Sequence, residues 1–256
     1  MTKFRLTVTL PAAAQEDVVA AIGAALRPFD INDGPDGYNP DGEWDWWAIS
    51  GEPNLVARPE CAADPRLIRQ DAPSGGESGP RCDGGPRGLL DLDAMRALHA
   101  ASAAATWAVW ARFAAEHPPA EPLSAILARH GVTSWGASPE REAARREHLA
   151  QPLVQALAQY AVTGGDPHYP NSLVTQDPVA LFAGEEREFV DRQAAVAVPT
   201  YALLTLDGQW ADPANPAPLG PVLPGESEAA AYWRLADAYL RGLPEDVLLV
   251  QVLCHC

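Results

Sequence analysis

Apolar and polar residues alternate strictly at the start of the chain: Phe4, Leu6, Val8 and Leu10 share one side, Arg5, Thr7 and Thr9 the other, and Pro11 ends the run. A period of two predicts a strand with one buried face. Val18, Val19, Ile22, Ala25 and Leu26 then recur at helical spacing, so a helix is expected over about residues 14–26, with Pro28 beyond its end. A turn-rich stretch, Asn32 to Gly37, leads to Trp44-Asp45-Trp46-Trp47-Ala48-Ile49-Ser50, which reads as a second strand. Residues 51–90 carry Pro or Gly every few positions and predict a long irregular loop, most mobile over 73–88. Helical patterns follow from Asp91 to His117, Glu121 to His130, Ser138 to Tyr160 and Ala183 to Gln193. Ser138-Pro139-Glu140 has the capping hydroxyl, first-position proline and early acid of a helix start. Strand character returns over residues 200–206, with Asp207-Gly208 as a hairpin turn into Gln209-Trp210. A helix over about 227–241 and a nearly all-apolar strand from Val247 to Cys254 complete the pattern.

Without residues 51–195 the order is strand, helix, strand, strand, helix, strand, which is the ferredoxin-like order. The expected fold is therefore α+β: a ferredoxin-like antiparallel sheet from residues 1–50 and 196–256, a Pro/Gly-rich loop over 51–90, and a large, mostly helical insertion over 91–195. The second strand has Trp44 and Trp46 on one side and Trp47 and Ile49 on the other, so both faces of the sheet need cover, and the insertion is the expected cover on one of them.

Strand parity then identifies side chains that would meet beneath the insertion. Arg5 comes from the first strand, Asp45 and Trp47 from the second, Tyr201 from the third, and Gln251 and His255 from the last. His255, Asp45 and Tyr201 are the candidates for acid–base chemistry, because an imidazole titrates near neutrality and a carboxylate can orient it. Arg5, Trp47 and Gln251 are the candidate substrate contacts, with Arg5 as anchor for an anionic small molecule. A plainer reading makes Arg5 and Asp45 a partly buried ion pair without chemistry.

Composition narrows the partners. Acidic residues outnumber basic ones 34 to 18 in 256 residues, a formal charge of −16, and Lys3 is the single lysine. A nucleic-acid partner is not expected from such a chain. Nor is a membrane, since no apolar run has spanning length, and the alternating N-terminus does not read as a signal peptide. The expected location is the cytoplasm, where Cys61, Cys82, Cys254 and Cys256 would stay reduced. Cys254-His255-Cys256 invites a zinc reading, but the spacing fits no zinc motif and neighbouring strand residues point to opposite faces, so no metal is expected. No P-loop, G-x-S-x-G or dinucleotide fingerprint occurs, so no cofactor is expected. Trp107, Trp110 and Phe113 recur on one helix face as core, and Asp91 and Asp93 read as helix caps. The acidity supports a second reading, an interaction or inhibitor protein that acts on a protein partner without catalysis.

Three islands carry a resemblance: Trp44-Asp45-Trp46-Trp47-Ala48-Ile49-Ser50-Gly51, then Gly88-Leu89-Leu90-Asp91-Leu92-Asp93-Ala94-Met95, and the terminal Cys254-His255. Together they resemble an uncharacterised family of phage, prophage and actinobacterial proteins that carries W-D-W-Y-x-I-G-G-R-W, a D-x-D-x-A-M helix start and a terminal D-C-H. This chain has Ser50-Gly51-Glu52-Pro53 where Gly-Gly-Arg-aromatic is usual, and Leu253 where the family has Asp. The resemblance implies no activity.

Overall fold

The computed structural model describes residues 3–34, 36–49, 54–69, 80–133, 136–163, 169 and 176–256. The fold is mixed α and β, and it divides into two compact units, Met1–Ala97 with Ala195–Cys256, and Leu98–Ala194. The chain begins with β1 (Lys3–Leu10), α1 (Val18–Leu26), β2 (Trp46–Ile49), β3 (Leu55–Val56), β4 (Arg81–Cys82) and β5 (Gly84–Pro86). Next come α2 (Leu92–Glu116), α3 (Leu123–Arg129), α4 (Pro139–Leu149), α5 (Pro152–Thr163), α6 (Pro178–Leu181) and α7 (Glu186–Ala195). It closes with β6 (Ala202–Leu204), β7 (Trp210–Ala211), α8 (Glu228–Gly242) and β8 (Leu248–His255).

The main sheet has the order β2-β8-β1-β6-β7, with β5 also on β8. β1 and β8 pair antiparallel over their whole length, from Lys3 opposite His255 to Leu10 opposite Leu248. β1 and β6 run parallel. Leu6, Val8, Ile22, Leu26, Val250 and Val252, all fully buried, form the core between the sheet and α1. Each such side chain contributes about 1.5–3 kcal/mol by leaving water. Leu203 and Leu249 point the other way, against Tyr232, Ala236 and Leu240 of α8 and Leu92 and Met95 of α2.

This is not the ferredoxin-like arrangement expected from element order. There the second strand of the series would pair with the third and both helices would share a face. Here β2 lies beside β8, and α1 and α8 cover opposite faces. Handedness explains the difference. β1 connects through α1 to β2, and β7 connects through α8 to β8; both crossovers join parallel strands and move the same way across the sheet, but β1 and β7 run antiparallel. Two right-handed crossovers so arranged must put their helices on opposite faces.

The expected loop also departs from the sequence reading. Residues 70–79 lie outside the described residues, but 82–86 are built into the core: Cys82, Asp83, Gly84 and Gly85 are buried and β5 pairs with β8. The glycines serve close approach. A Cβ at Gly84 would sit 2.4 Å from the Leu249 carbonyl oxygen, so no larger residue fits there.

Leu98–Ala194 is helical among its described residues, and its core gathers Trp107, Phe182, Phe189, Leu153 and Leu157. The expected boundary at residue 91 shifts, because Leu92 and Met95 belong to the core of the sheet unit. The single helix expected over 138–160 is two, since Pro152 cannot continue a helix and instead starts α5. Ser138 caps α4 as expected, accepting from the Arg141 amide at 3.2 Å, and Asp91 caps α2, accepting from the Ala94 amide at 2.9 Å.

Two stability tests follow. Asp237 accepts from Arg96 Nε at 2.6 Å and from Arg241 Nε at 2.8 Å, and its side chain is 12% exposed. Asp237→Asn should cost about 3 kcal/mol in urea unfolding because it strands a buried guanidinium, whereas exposed Glu142→Gln should change stability by under about 0.5 kcal/mol. Burial also pushes the Cys82 thiol from 9.0 up to about 11 and that of Cys254 up to about 12. The fold thus prefers the protonated thiols, and that contribution is complete below pH 9 and lost as pH rises towards these values. Urea midpoints should fall across this window, and Cys254→Ala should flatten the fall.

Candidate functional site

Strand β8 ends at His255, which lies between Lys3 of β1 and Trp46 of β2 as their direct cross-strand neighbour. The Asp45 amide donates to the His255 carbonyl at 2.9 Å, and the imidazole Nδ1 lies 2.6 Å from Asp45 Oδ1. A carboxylate only accepts, so Nδ1 carries the proton and donates it. Nε2 is then left with its lone pair, and among the described residues it has no hydrogen-bond partner. The His255 side chain is 19% exposed and that of Asp45 40%. This is the arrangement of a general base: a carboxylate fixes the tautomer, orients the ring, and stabilises the imidazolium once Nε2 has taken a proton.

Why Asp45 reaches His255 follows from a break in the pleat. Trp44 is buried on the α1 side, its indole Nε1 donating to the Leu26 carbonyl at 3.1 Å. Trp47 packs on that same side, opposite Cys254 and near Gly23. In a regular strand, residues three apart would face opposite ways. The irregularity at Asp45 therefore brings Asp45 and Trp46 together on the α8 side, with His255.

Of the expected site residues, Asp45 and His255 meet, and Asp45 has His255 rather than Arg5 as its side-chain hydrogen-bond partner. Arg5 is half-buried and shares the His255 face by register, opposite Leu253. Trp47 does not belong to the site, for the reason just given; Trp46, 50% exposed, takes its place. Tyr201 is also outside it. This residue precedes β6, so the strand's parity does not extend to it, and its ring leans on Phe4, which packs against the α1-side core, with centroids 5.6 Å apart. Gln251 has the expected parity but is buried, with Nε2 3.5 Å from the Val198 carbonyl, and is a core residue four positions from His255. Sequence reasoning missed Lys3 and Trp46; the adjacent pair Trp46-Trp47 was the signal, since two large aromatics in succession on a strand must be divided between its faces. Cys254 faces the α1-side core, away from His255. Among the described residues no group of three or more His, Cys, Asp or Glu could hold a metal ion.

A second imidazole lines a cavity of about 330 Å³ in the helical unit, with Arg145, Leu157 and Tyr169. Here the lone-pair nitrogen is engaged. The Gln151 amide is fixed by the Glu121 backbone, its Oε1 accepting from the amide at 2.6 Å and its Nε2 donating to the carbonyl at 2.9 Å. Gln151 Nε2 therefore also donates to His148 Nδ1 at 3.2 Å, which leaves the ring proton on Nε2, facing Asp177 at 3.6 Å. Asp177 in turn caps α6 and accepts from the Leu123 amide at 2.6 Å. His148 is a brace between helices, with no nitrogen left to act as a base.

Compared with known proteins, the chain matches no family model, no curated protein and no solved structure. No described helix is long and apolar enough to cross a membrane.

The tautomer is directly measurable. Nitrogen-15 ring spectra should show His255 protonated at Nδ1, with Asp45→Asn moving it towards the Nε2-protonated form. The substitution should cost only about 1 kcal/mol or less, because the pair is partly exposed. An unchanged ring spectrum would show that Asp45 does not set the tautomer.

Proposed function

We propose that the protein binds a small anionic molecule with a flat apolar portion at the end of β8 and acts on it by acid–base chemistry, with His255 as the base and Asp45 as its orienting partner. The observation that carries this reading is an Nε2 without a hydrogen-bond partner among the described residues, on a ring whose other nitrogen is held by a carboxylate. Trp46 offers a flat, half-exposed surface beside the ring, and Lys3 and Arg5 supply positive charge on the same face. Two of the islands that resemble the phage and actinobacterial family, Trp44–Gly51 and Cys254–His255, contribute the pair. A cytoplasmic setting belongs to the same reading.

Benzoate, titrated against protein labelled at histidine, is the probe for binding, and 4-nitrophenyl acetate hydrolysis is the probe for chemistry. Benzoate should shift the His255 ring resonances and leave those of His99 in place, and Trp46→Ala should abolish the shift. Hydrolysis should fall by about 100-fold or more in His255→Ala, the range of a lost general base. If benzoate leaves His255 undisturbed and His255→Ala hydrolyses the ester like the parent, the acid–base reading is wrong. The interaction-protein reading, which rests on the charge of −16, would then replace it.

A further inference from the structure

At the opposite end of β8 the sheet unit has a second cleft, of about 270 Å³, into which four arginines converge from four separate segments. Arg58 follows β3, Arg87 follows β5, Arg96 lies in the second turn of α2, and Arg241 lies in the last turn of α8. Arg87 adjoins Pro86, which pairs with Leu248, so the cleft is seven β8 residues from His255, roughly 23 Å at strand rise. It is not part of the site proposed above.

The charges in this cleft do not cancel. Arg96 and Arg241 share Asp237, and Arg96 also meets Asp93 at 3.1 Å. Arg87 donates only to main-chain carbonyls, Leu240 at 2.9 Å and Arg241 at 2.5 Å, and among the described residues neither it nor Arg58 has a carboxylate partner. Arg96 is 6% exposed, yet its Nη2 has no hydrogen-bond partner. A buried guanidinium nitrogen left without an acceptor is costly, and an acceptor brought by a ligand would satisfy it. Leu92 and Asp93 also line the cleft and open α2, where amides lack intrahelical acceptors. Asp91 is the counterweight, with Oδ1 engaged by the Ala94 amide. Four arginines against Asp91, Asp93 and Asp237 leave the cleft at +1, in a chain whose total is −16.

We infer that this cleft is a binding site for a small phosphoryl-bearing anion, gripped by Arg58 and Arg87 over the opening of α2. Planar guanidinium groups match the oxygens of a phosphoryl group in pairs, and the small volume admits a compact ligand rather than a drug-sized one.

Calorimetric titration of the full chain with inorganic pyrophosphate tests this, with sodium sulfate at matched ionic strength as control. Pyrophosphate should bind saturably with a dissociation constant below about 1 mM, and sulfate more weakly. Exposed Arg58→Gln should weaken binding by about tenfold, the loss of one charge-assisted contact, without shifting the melting temperature. Arg87→Gln should weaken it too, and His255→Ala should not. Absence of saturable binding overturns the proposal, as does sulfate binding equally well or Arg58→Gln binding like the parent. Because His255→Ala is read in the same assay, loss of binding in that variant would assign the anion to the other site and also reject the inference.

Discussion

The antiparallel pairing of β1 with β8 is the interaction on which the rest of the sheet unit depends. Eight residue pairs join the first strand of the chain to the last, and every other strand of the main sheet is placed by them. β6 adds to the free edge of β1, while β2 and β5 divide the other edge of β8 between its two ends. The same two strands supply the apolar positions that both helices cover, one set facing α1 and the other facing α8. Weakening this pairing would remove a shared edge and two cores at once.

The candidate base also depends on it. His255 is held on both sides, by Lys3 across one edge and by Trp46 across the other, so its ring is placed by sheet register rather than by a loop. Asp45 reaches the ring only because the pleat of the second segment breaks between Trp44 and Trp47. The break has a cause in packing: Trp44 and Trp47 both find space against α1, one bonded to the Leu26 carbonyl and the other near Gly23. Two buried indoles on one side thus turn a carboxylate to the other.

Much of this was legible in the residues, and the failures share a physical origin. Alternation from Phe4 to Leu10 and the apolar run into Cys254 identified β1 and β8, and parity put Arg5 and His255 on one face, because an uninterrupted strand keeps its period. Parity failed wherever the chain left the regular pleat: the irregularity at Asp45 leaves Trp47 off the site face, and the chain just before β6 does the same for Tyr201. Element order could not say which strands would be neighbours, since β2 can pair with any open edge and only the handedness of two crossovers decides where α1 and α8 lie. Glycine density around Gly84 looked like loop composition, yet it marks where a strand presses against β8. The arginine cleft had no sequence signal, because Arg58, the Arg87–Arg96 segment and Arg241 lie apart in the chain and converge only in the folded sheet unit.

The joining of β1 to β8 also orders events during synthesis. Synthesis runs from β1 towards β8, so β1 emerges with its apolar side already formed and must wait for its partner until every other element described above has been made. Helices of the segment between, whose contacts are local in sequence, have no such delay. The exposed alternating edge of β1 is therefore a hazard of the unfinished chain, and Lys3, Arg5 and the early proline at position 11 stand where charge and a missing amide discourage pairing with the wrong strand.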